Sequence, residues 1–212
     1  MKRSVAIVAS VLAFASPAFA QSAGAPSNGY VEAVAQSAFG NVTSQSFGAE
    51  AGVTVAKQLQ VFVDVGQVRD TSPSTLGANA QIIAGFLSQS QSGVGFSVRQ
   101  PVTFGVAGVR YGFPNGKFEP YVLGGGGVAR VKRDVAFTIG GNDVTSGLQQ
   151  YGVALGTDLS GSETKGMISA GAGVAWLAWQ QLVVDFQYRY GRVLTDEGLN
   201  VNRAGIGVGV RF

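Results

Sequence analysis

The residues of this chain with the most chemical potential are four carboxylates and five arginines, because the side chains that usually carry catalysis or bind metals are missing. The sequence has no His and no Cys. Without imidazole, a Ser or water nucleophile lacks its ordinary base near neutral pH. Without thiolate or imidazole, zinc has none of its preferred ligands. What remains is Glu32, Glu50, Asp64 and Asp185, with Arg110, Arg130, Arg189, Arg203 and Arg211, all assigned by alternation to the polar face of extended segments. Two of the acids could in principle act as an acid/base pair. Opposite charges gathered in one narrow interior more simply pair with each other, since a buried charge without a partner is costly. The expectation is therefore structural ion pairs, with no catalytic residue, no metal and no cofactor.

The elements that would gather these charges are strands. Period-two segments of about ten residues run over 30–39, 45–56, 59–69, 101–113, 118–132, 165–178, 181–193 and 201–212, which makes eight. In 181–193, Leu182, Val184, Phe186, Tyr188 and Tyr190 share one face, opposite Asp185, Gln187 and Arg189. Phe47, Ala49, Ala51, Val53 and Val55 likewise oppose Glu50 and Thr54. Slipping a strand by one residue would exchange its faces, and an Arg aimed at lipid near mid-bilayer costs about 2–4 kcal/mol, so the register reads apolar out and polar in.

The links between segments alternate in length. Lys57-Gln58, "PNGK" (114–117) and Trp179-Gln180 are tight turns, whereas 70–100 and 133–164 are long. Strands that each cross a bilayer put every short link on the side of the termini and every long one opposite, the asymmetry of an outer-membrane barrel. Tyr111, Phe113, Phe118, Tyr121, Trp176, Trp179 and Phe212 gather beside the short turns and read as an interfacial aromatic girdle. Glycines inside the strands, Gly124 to Gly127 above all, fit the sharp coiling of a small barrel.

Composition agrees with this picture. Thirty-two Gly and 13% charged residues suit neither a helical bundle nor a charged disordered chain. Lys2 and Arg3, an apolar run from Val5 to Ala15, and Ala18 and Ala20 before a cut predict a signal peptide over 1–20 and a barrel domain over 21–212. Of 15 basic residues, 13 remain without Lys2 and Arg3 against 12 acidic ones, a net charge of +1, so no nucleic-acid partner is implied. Beyond the signal peptide no apolar run approaches the ~18 residues of a membrane helix, which leaves a closed barrel as the only way to span.

The fifth segment, "FEPYVLGGGGVARV", the seventh, "VDFQYRYGRV", and the last, "RAGIGVGVRF", resemble those of the small eight-stranded outer-membrane barrels of Gram-negative bacteria, the family of the OmpA-type transmembrane domain, OmpX and the opacity-type adhesins. The resemblance implies an all-β, antiparallel up-and-down barrel with short periplasmic turns and longer extracellular loops, embedded in outer-membrane lipid. It also implies that Phe212, ending an alternating strand, is the residue the barrel-assembly machinery recognises. OmpA itself continues into a peptidoglycan-binding domain, and no such domain is expected here.

Enzymatic barrels of the outer membrane share this architecture but rely on a catalytic His, so a non-enzymatic role is expected: structural or adhesin-like, carried by the loops, in a monomer. The phosphate-loop and dinucleotide glycine patterns are missing. One alternative is a narrow channel for ions or small solutes, although eight strands leave an interior just wide enough for side chains. Another is a soluble exported barrel that binds an apolar ligand, which the inward charges disfavour. In loop 70–100, Leu76, Ile83 and Leu87 fall near helical spacing beside Ile82 and Phe86. That pattern fits an amphipathic or partner-binding segment, or else a strand extension or lid over the barrel mouth. Loop 133–164 alternates around Gly140-Gly141 as a protruding hairpin, and its Asp143, Asp158 and Glu163 do not match a calcium loop. An extracellular partner is expected at these two loops.

Overall fold

The computed structural model describes residues 29–113, 115–156, 159–196 and 198–212. The expected signal peptide, the start of the mature chain and Asp158 lie outside them. The strands are β1 (Gly29–Phe39), β2 (Ser44–Ala56), β3 (Leu59–Val68), β4 (Val94–Arg99), β5 (Val102–Gly112), β6 (Phe118–Ile139), β7 (Asn142–Asp143), β8 (Ser160–Leu177), β9 (Leu182–Val193) and β10 (Leu199–Arg211). Among the described residues a helix, α1 (Ser74–Ser88), and a 3-10 turn (Thr145–Tyr151) join them.

Eight of these strands form an antiparallel ring in the order β1, β2, β3, β5, β6, β8, β9, β10, and β10 pairs back onto β1 from Tyr30↔Arg211 to Phe39↔Asn202. This is the all-β barrel that the alternation predicts, and closure leaves its wall without an open edge. Two-residue turns need a backbone that twists with the strands, and Gln58 supplies it at φ 68° between β2 and β3. Along the β5–β6 seam the strands approach closely: a Cβ on Gly127 would collide with the Gly105 carbonyl oxygen, and one on Gly125 with that of Ala107. Only glycine allows that approach, which is what its run inside β6 provides.

Apolar side chains cover the outside. Phe47, Val53, Val61, Val63, Val109, Val122, Phe186, Ile206 and Val208 are all exposed on the wall, an arrangement that makes sense only against lipid. On β9 the band runs from Leu182 to Tyr190, about the nine residues a tilted strand needs to cross. Tyr111, Phe113, Phe118, Trp176, Trp179 and Phe212 are exposed at the turn end, and Phe118 stacks on Trp176 at 6.5 Å. Tyr121 departs from the girdle: it is 2% exposed and points inward, because parity on β6 puts it on the face of Leu123 rather than Val122. At the other end Phe39 lies 6.3 Å from Tyr188, while Tyr188 and Tyr190 donate hydrogen bonds to Asn202 and Asn200.

Strand β6 is 22 residues long, about twice what one crossing requires, so its second half projects beyond the bilayer. Its lower part pairs with β5 as far as Val102↔Val131, and its upper part pairs with β4 from Arg99↔Asp134 to Val94↔Ile139. β4 and β5 thus follow one another along the same edge of β6, separated by Gln100-Pro101, where proline interrupts the ladder. Asp70 ties the loop back at this point, accepting the backbone N–H groups of Ser72 (3.0 Å) and Gln100 (2.9 Å).

Against this extension stands α1, which buries Leu76, Ala80, Ala84 and Leu87 on Val135, Phe137, Leu148 and Leu159. The amphipathic spacing in loop 70–100 is therefore a helix, and its apolar stripe is buried on a strand extension. Ile82 and Phe86, on its other face, are exposed. The hairpin at Gly140-Gly141 forms with φ of 56° and 84°, values that suit a type I′ turn and favour glycine.

Candidate functional site: the filled interior and the extracellular cap

The barrel interior has two layers. The layer toward the periplasmic turns is ionic. Glu50 on β2 is its hub: Oε2 accepts from Arg189 Nη2 at 2.6 Å, Oε1 accepts from the Tyr30 hydroxyl at 2.6 Å, and Arg110 Nη1 lies 3.9 Å away. Arg110 also lies 3.6 Å from Asp185, whose Oδ2 accepts the Tyr121 hydroxyl at 2.8 Å, and its guanidinium stacks over the Tyr121 ring at 3.5 Å. Arg189 Nε donates to Gln187 at 2.8 Å, and Gln187 Nε2 donates to Glu32 at 3.3 Å. One level up, Arg203 meets Asp64 at 3.3 Å and stacks over Phe104 at 4.1 Å. Nearest the turns, Arg211 pairs with Glu119 at 2.7 Å.

The strand register explains why these groups meet. Glu32, Glu50 and Asp64 are directly opposite one another on β1, β2 and β3, and Arg203 and Arg189 are opposite on β10 and β9. Glu32, Glu50 and Asp64 thus line the β1–β3 wall and Arg189 and Arg203 the β9–β10 wall, with Asp185 on β9 and Arg110 on β5 interleaved, and the narrow bore brings them across to each other. In a low-dielectric interior such charges must be paired and hydrogen-bonded. Aromatic faces on Arg110 and Arg203 add cation–π attraction where no further carboxylate is present.

Above Asp64 and Arg203 the character changes. Ala38, Val68, Val102, Ala129, Val131, Met167, Val193, Leu199 and Val201 all point inward and are almost completely buried, a mainly aliphatic layer, with Gln36, Ser46 and Ser169 among it, that closes the bore on the extracellular side.

Of the charges expected inside, the structure places Glu32, Glu50, Asp64, Asp185, Arg110, Arg189, Arg203 and Arg211 on the inner face. Glu32 makes no ion pair among the described residues. Arg130 is a correction: it faces outward and is exposed, donating only to Ser162 Oγ at 3.1 Å. Four consecutive glycines precede it on β6, so alternation has no side chains to count through, and Ala129 and Val131 take the inner face instead. Glu119, Tyr30 and Tyr121 are partners that charge parity alone does not identify, whereas alternation places Gln187 on the polar face beside Asp185 and Arg189. Glu119 shares parity with inward Tyr121, the signal that was available.

The cap provides the other candidate surface. Asp143 Oδ1 accepts both the backbone N–H (2.9 Å) and the hydroxyl (2.6 Å) of Thr145, so its carboxyl is held below its usual value. Thr145 Oγ1 in turn accepts the Phe137 N–H at 2.9 Å, which locks the hairpin to the sheet beneath α1. At the rim, Glu163 pairs with Arg133 and with Lys165 at 3.5 Å.

An apolar outer wall, a closed ring of eight strands and long links confined to one end define a transmembrane β-barrel of the bacterial outer membrane. The chain belongs to the outer membrane protein beta-barrel domain family, whose model matches residues 6–212. Among solved structures it is similar to Neisserial surface protein A, at 16% identity and TM-score 0.50 over 86% of this chain and 94% of that one. It is similar also to the N-terminal barrel domain of OprF from Pseudomonas aeruginosa, at 15% identity and TM-score 0.51 over 88% and 98%. A major outer membrane protein of Thermus thermophilus is 12% identical with TM-score 0.51 over 89% and 100%. These likenesses concern the fold. No curated protein matches the chain.

Proposed function

We propose that this protein is a non-enzymatic outer-membrane barrel that presents a folded extracellular cap for contact with a surface or partner outside the cell. The observation that carries the reading is the second core: α1 packed on the projecting β4–β6 sheet, where it contributes nothing to closing the barrel wall. Extra ordered structure beyond the bilayer costs conformational entropy that barrel closure does not require, and loops held on a rigid scaffold are the usual carriers of recognition. Ile82 and Phe86 leave an apolar stripe on the outer face of α1. The name of Neisserial surface protein A is consistent with surface display, as one structural relative among several. The filled lumen speaks against the alternative of a narrow channel, and the apolar outer wall against a soluble ligand carrier.

The test is adhesion of cells expressing the protein to cultured epithelial monolayers, comparing wild type with Ile82→Ser/Phe86→Ser. The double variant should lose most of the adhesion while its outer-membrane level and gel mobility before and after boiling stay unchanged. Equal adhesion by both would remove the apolar stripe from the account.

A further inference from the structure

The outward turn of Arg130 has a chemical consequence. Thr103 on β5, Arg130 on β6 and Thr164 on β8 are directly opposite one another across three adjacent strands, all exposed on the outer wall. Adjacent strands lie about 4.8 Å apart, so a hydroxyl, a guanidinium and a second hydroxyl form one row about 10 Å wide. The next outward position on β6 is Lys132, which is 58% exposed. Below the row the wall is apolar or bare: Gly105, Val128 and Gly166, then Ala107, Gly126 and Ile168.

The height of the row follows from energetics. An Arg facing lipid costs about 2–4 kcal/mol at mid-bilayer and roughly 0–1 kcal/mol at the interface. Arg130 lies two positions above the exposed Val128, at the upper edge of the apolar band and thus at the level of the outer headgroups.

Basic residues on the two faces of this wall are treated differently. Inward Arg133 and Lys165 share the carboxylate of Glu163. Outward Arg130 has only the Ser162 hydroxyl and makes no ion pair among the described residues. The acid near it on this face is Asp134, which lies 3.2 Å from Lys132 and directly opposite Arg99 on β4. Arg130, Lys132 and Arg99 therefore face the carboxylate of Asp134, while the exposed Asp196 lies 3.8 Å from Lys165, leaving a positive surplus between two hydroxyl donors at headgroup height. A guanidinium flanked by hydroxyls matches the fork of a phosphate, which it can bind through two parallel hydrogen bonds.

We propose that Arg130 and Lys132, with Thr103 and Thr164, form a binding site on the barrel wall for the phosphorylated headgroup of an anionic outer-leaflet lipid. Its acyl chains would run down the wall past Val128 and Ala107, away from the exposed Arg192 that lies opposite Ile168. The chains distinguish this ligand from a free anion, because the row is continuous with the apolar band. The site is separate from the cap and does not depend on its role.

The test uses the full protein in neutral detergent micelles, with diphosphoryl lipid A as probe and native mass spectrometry to count bound lipid. Arg130→Gln/Lys132→Gln should weaken lipid A binding about tenfold, the scale of one or two charge-assisted contacts. Phosphatidylcholine should bind equally weakly to both forms. Lys57→Gln/Lys117→Gln, at the periplasmic turns, should leave lipid A binding unchanged. Both Arg130 and Lys132 are exposed, so the variant should fold, and an unchanged mobility shift on boiling checks that. Equal lipid A affinity in wild type and Arg130→Gln/Lys132→Gln would overturn the site. An equal loss in Lys57→Gln/Lys117→Gln would overturn it in favour of diffuse charge attraction, and release of the lipid by inorganic phosphate would overturn it in favour of a free-anion site.

Discussion

The two halves of the barrel interior fill the same bore by opposite means. Toward the periplasm, Glu50, Asp185, Arg110 and Arg189 interlock through ion pairs and tyrosine hydroxyls. Toward the outside, Val68, Val102, Leu199 and Val201 pack as an ordinary apolar core. A polar network fails sharply when one member is removed, because its partners stay buried and unpaired. An aliphatic layer fails gradually, by cavity volume. The ionic half therefore fixes which strand faces which, and the aliphatic half closes the bore.

The largest expected effect tests the first half. Glu50→Ala leaves Arg189 and Arg110 without their shared carboxylate and should destabilise the barrel by about 3–5 kcal/mol, measured as a lower urea midpoint for loss of the folded band on unboiled gels. Replacing both partners, as Glu50→Leu/Arg189→Met, should recover most of that loss. If the double variant is as unstable as the single one, the network contributes more than charge compensation.

Leu199→Ala, in the upper layer, should cost about 2–4 kcal/mol by the same assay, and adding it to Glu50→Ala should be additive within about 0.5 kcal/mol. Strong coupling would mean that the two layers are one unit. Leu87→Ala addresses the cap alone: it opens the core under α1 and should speed protease cleavage within 74–88 while leaving the barrel's urea midpoint unchanged.

The smallest effect concerns acid. The Asp143 carboxyl is held below its usual value by Thr145. A depressed carboxylate stabilises the folded form above its unfolded pKa, about 3.9, and that stabilisation is lost as pH falls through the folded value. Hydrogen-exchange protection at Thr145 should accordingly persist at pH 4 and decline below it, and Asp143→Asn should weaken it at neutral pH.

Much of the barrel was legible because lipid outside and packing inside impose a strict period of two. β9 illustrates it: Val184 to Tyr190 alternates without interruption, and each side chain points where its parity says. Parity becomes silent where side chains vanish or where both faces are apolar. Gly124 to Gly127 interrupt the count on β6, so parity cannot place Arg130 beyond them, whereas Tyr121, which precedes them, reads as a girdle aromatic only from its place beside the PNGK turn. Val128, Ala129 and Val131 are apolar on both faces, so the aliphatic layer had no alternation to reveal it. The cap was legible only as a helical spacing in loop 70–100. Its partner, the upper half of β6, lies some fifty residues later, and the contact between them is a matter of tertiary packing.

The most direct measurement of the central claim, that the lumen is sealed and the outer surface carries the role, is conductance of the purified protein in planar lipid bilayers. The aliphatic layer predicts no stable steps above the bare-membrane baseline for wild type at any voltage the bilayer tolerates. Reproducible ohmic steps from the wild-type protein would show a continuous water path through the barrel and would contradict the account.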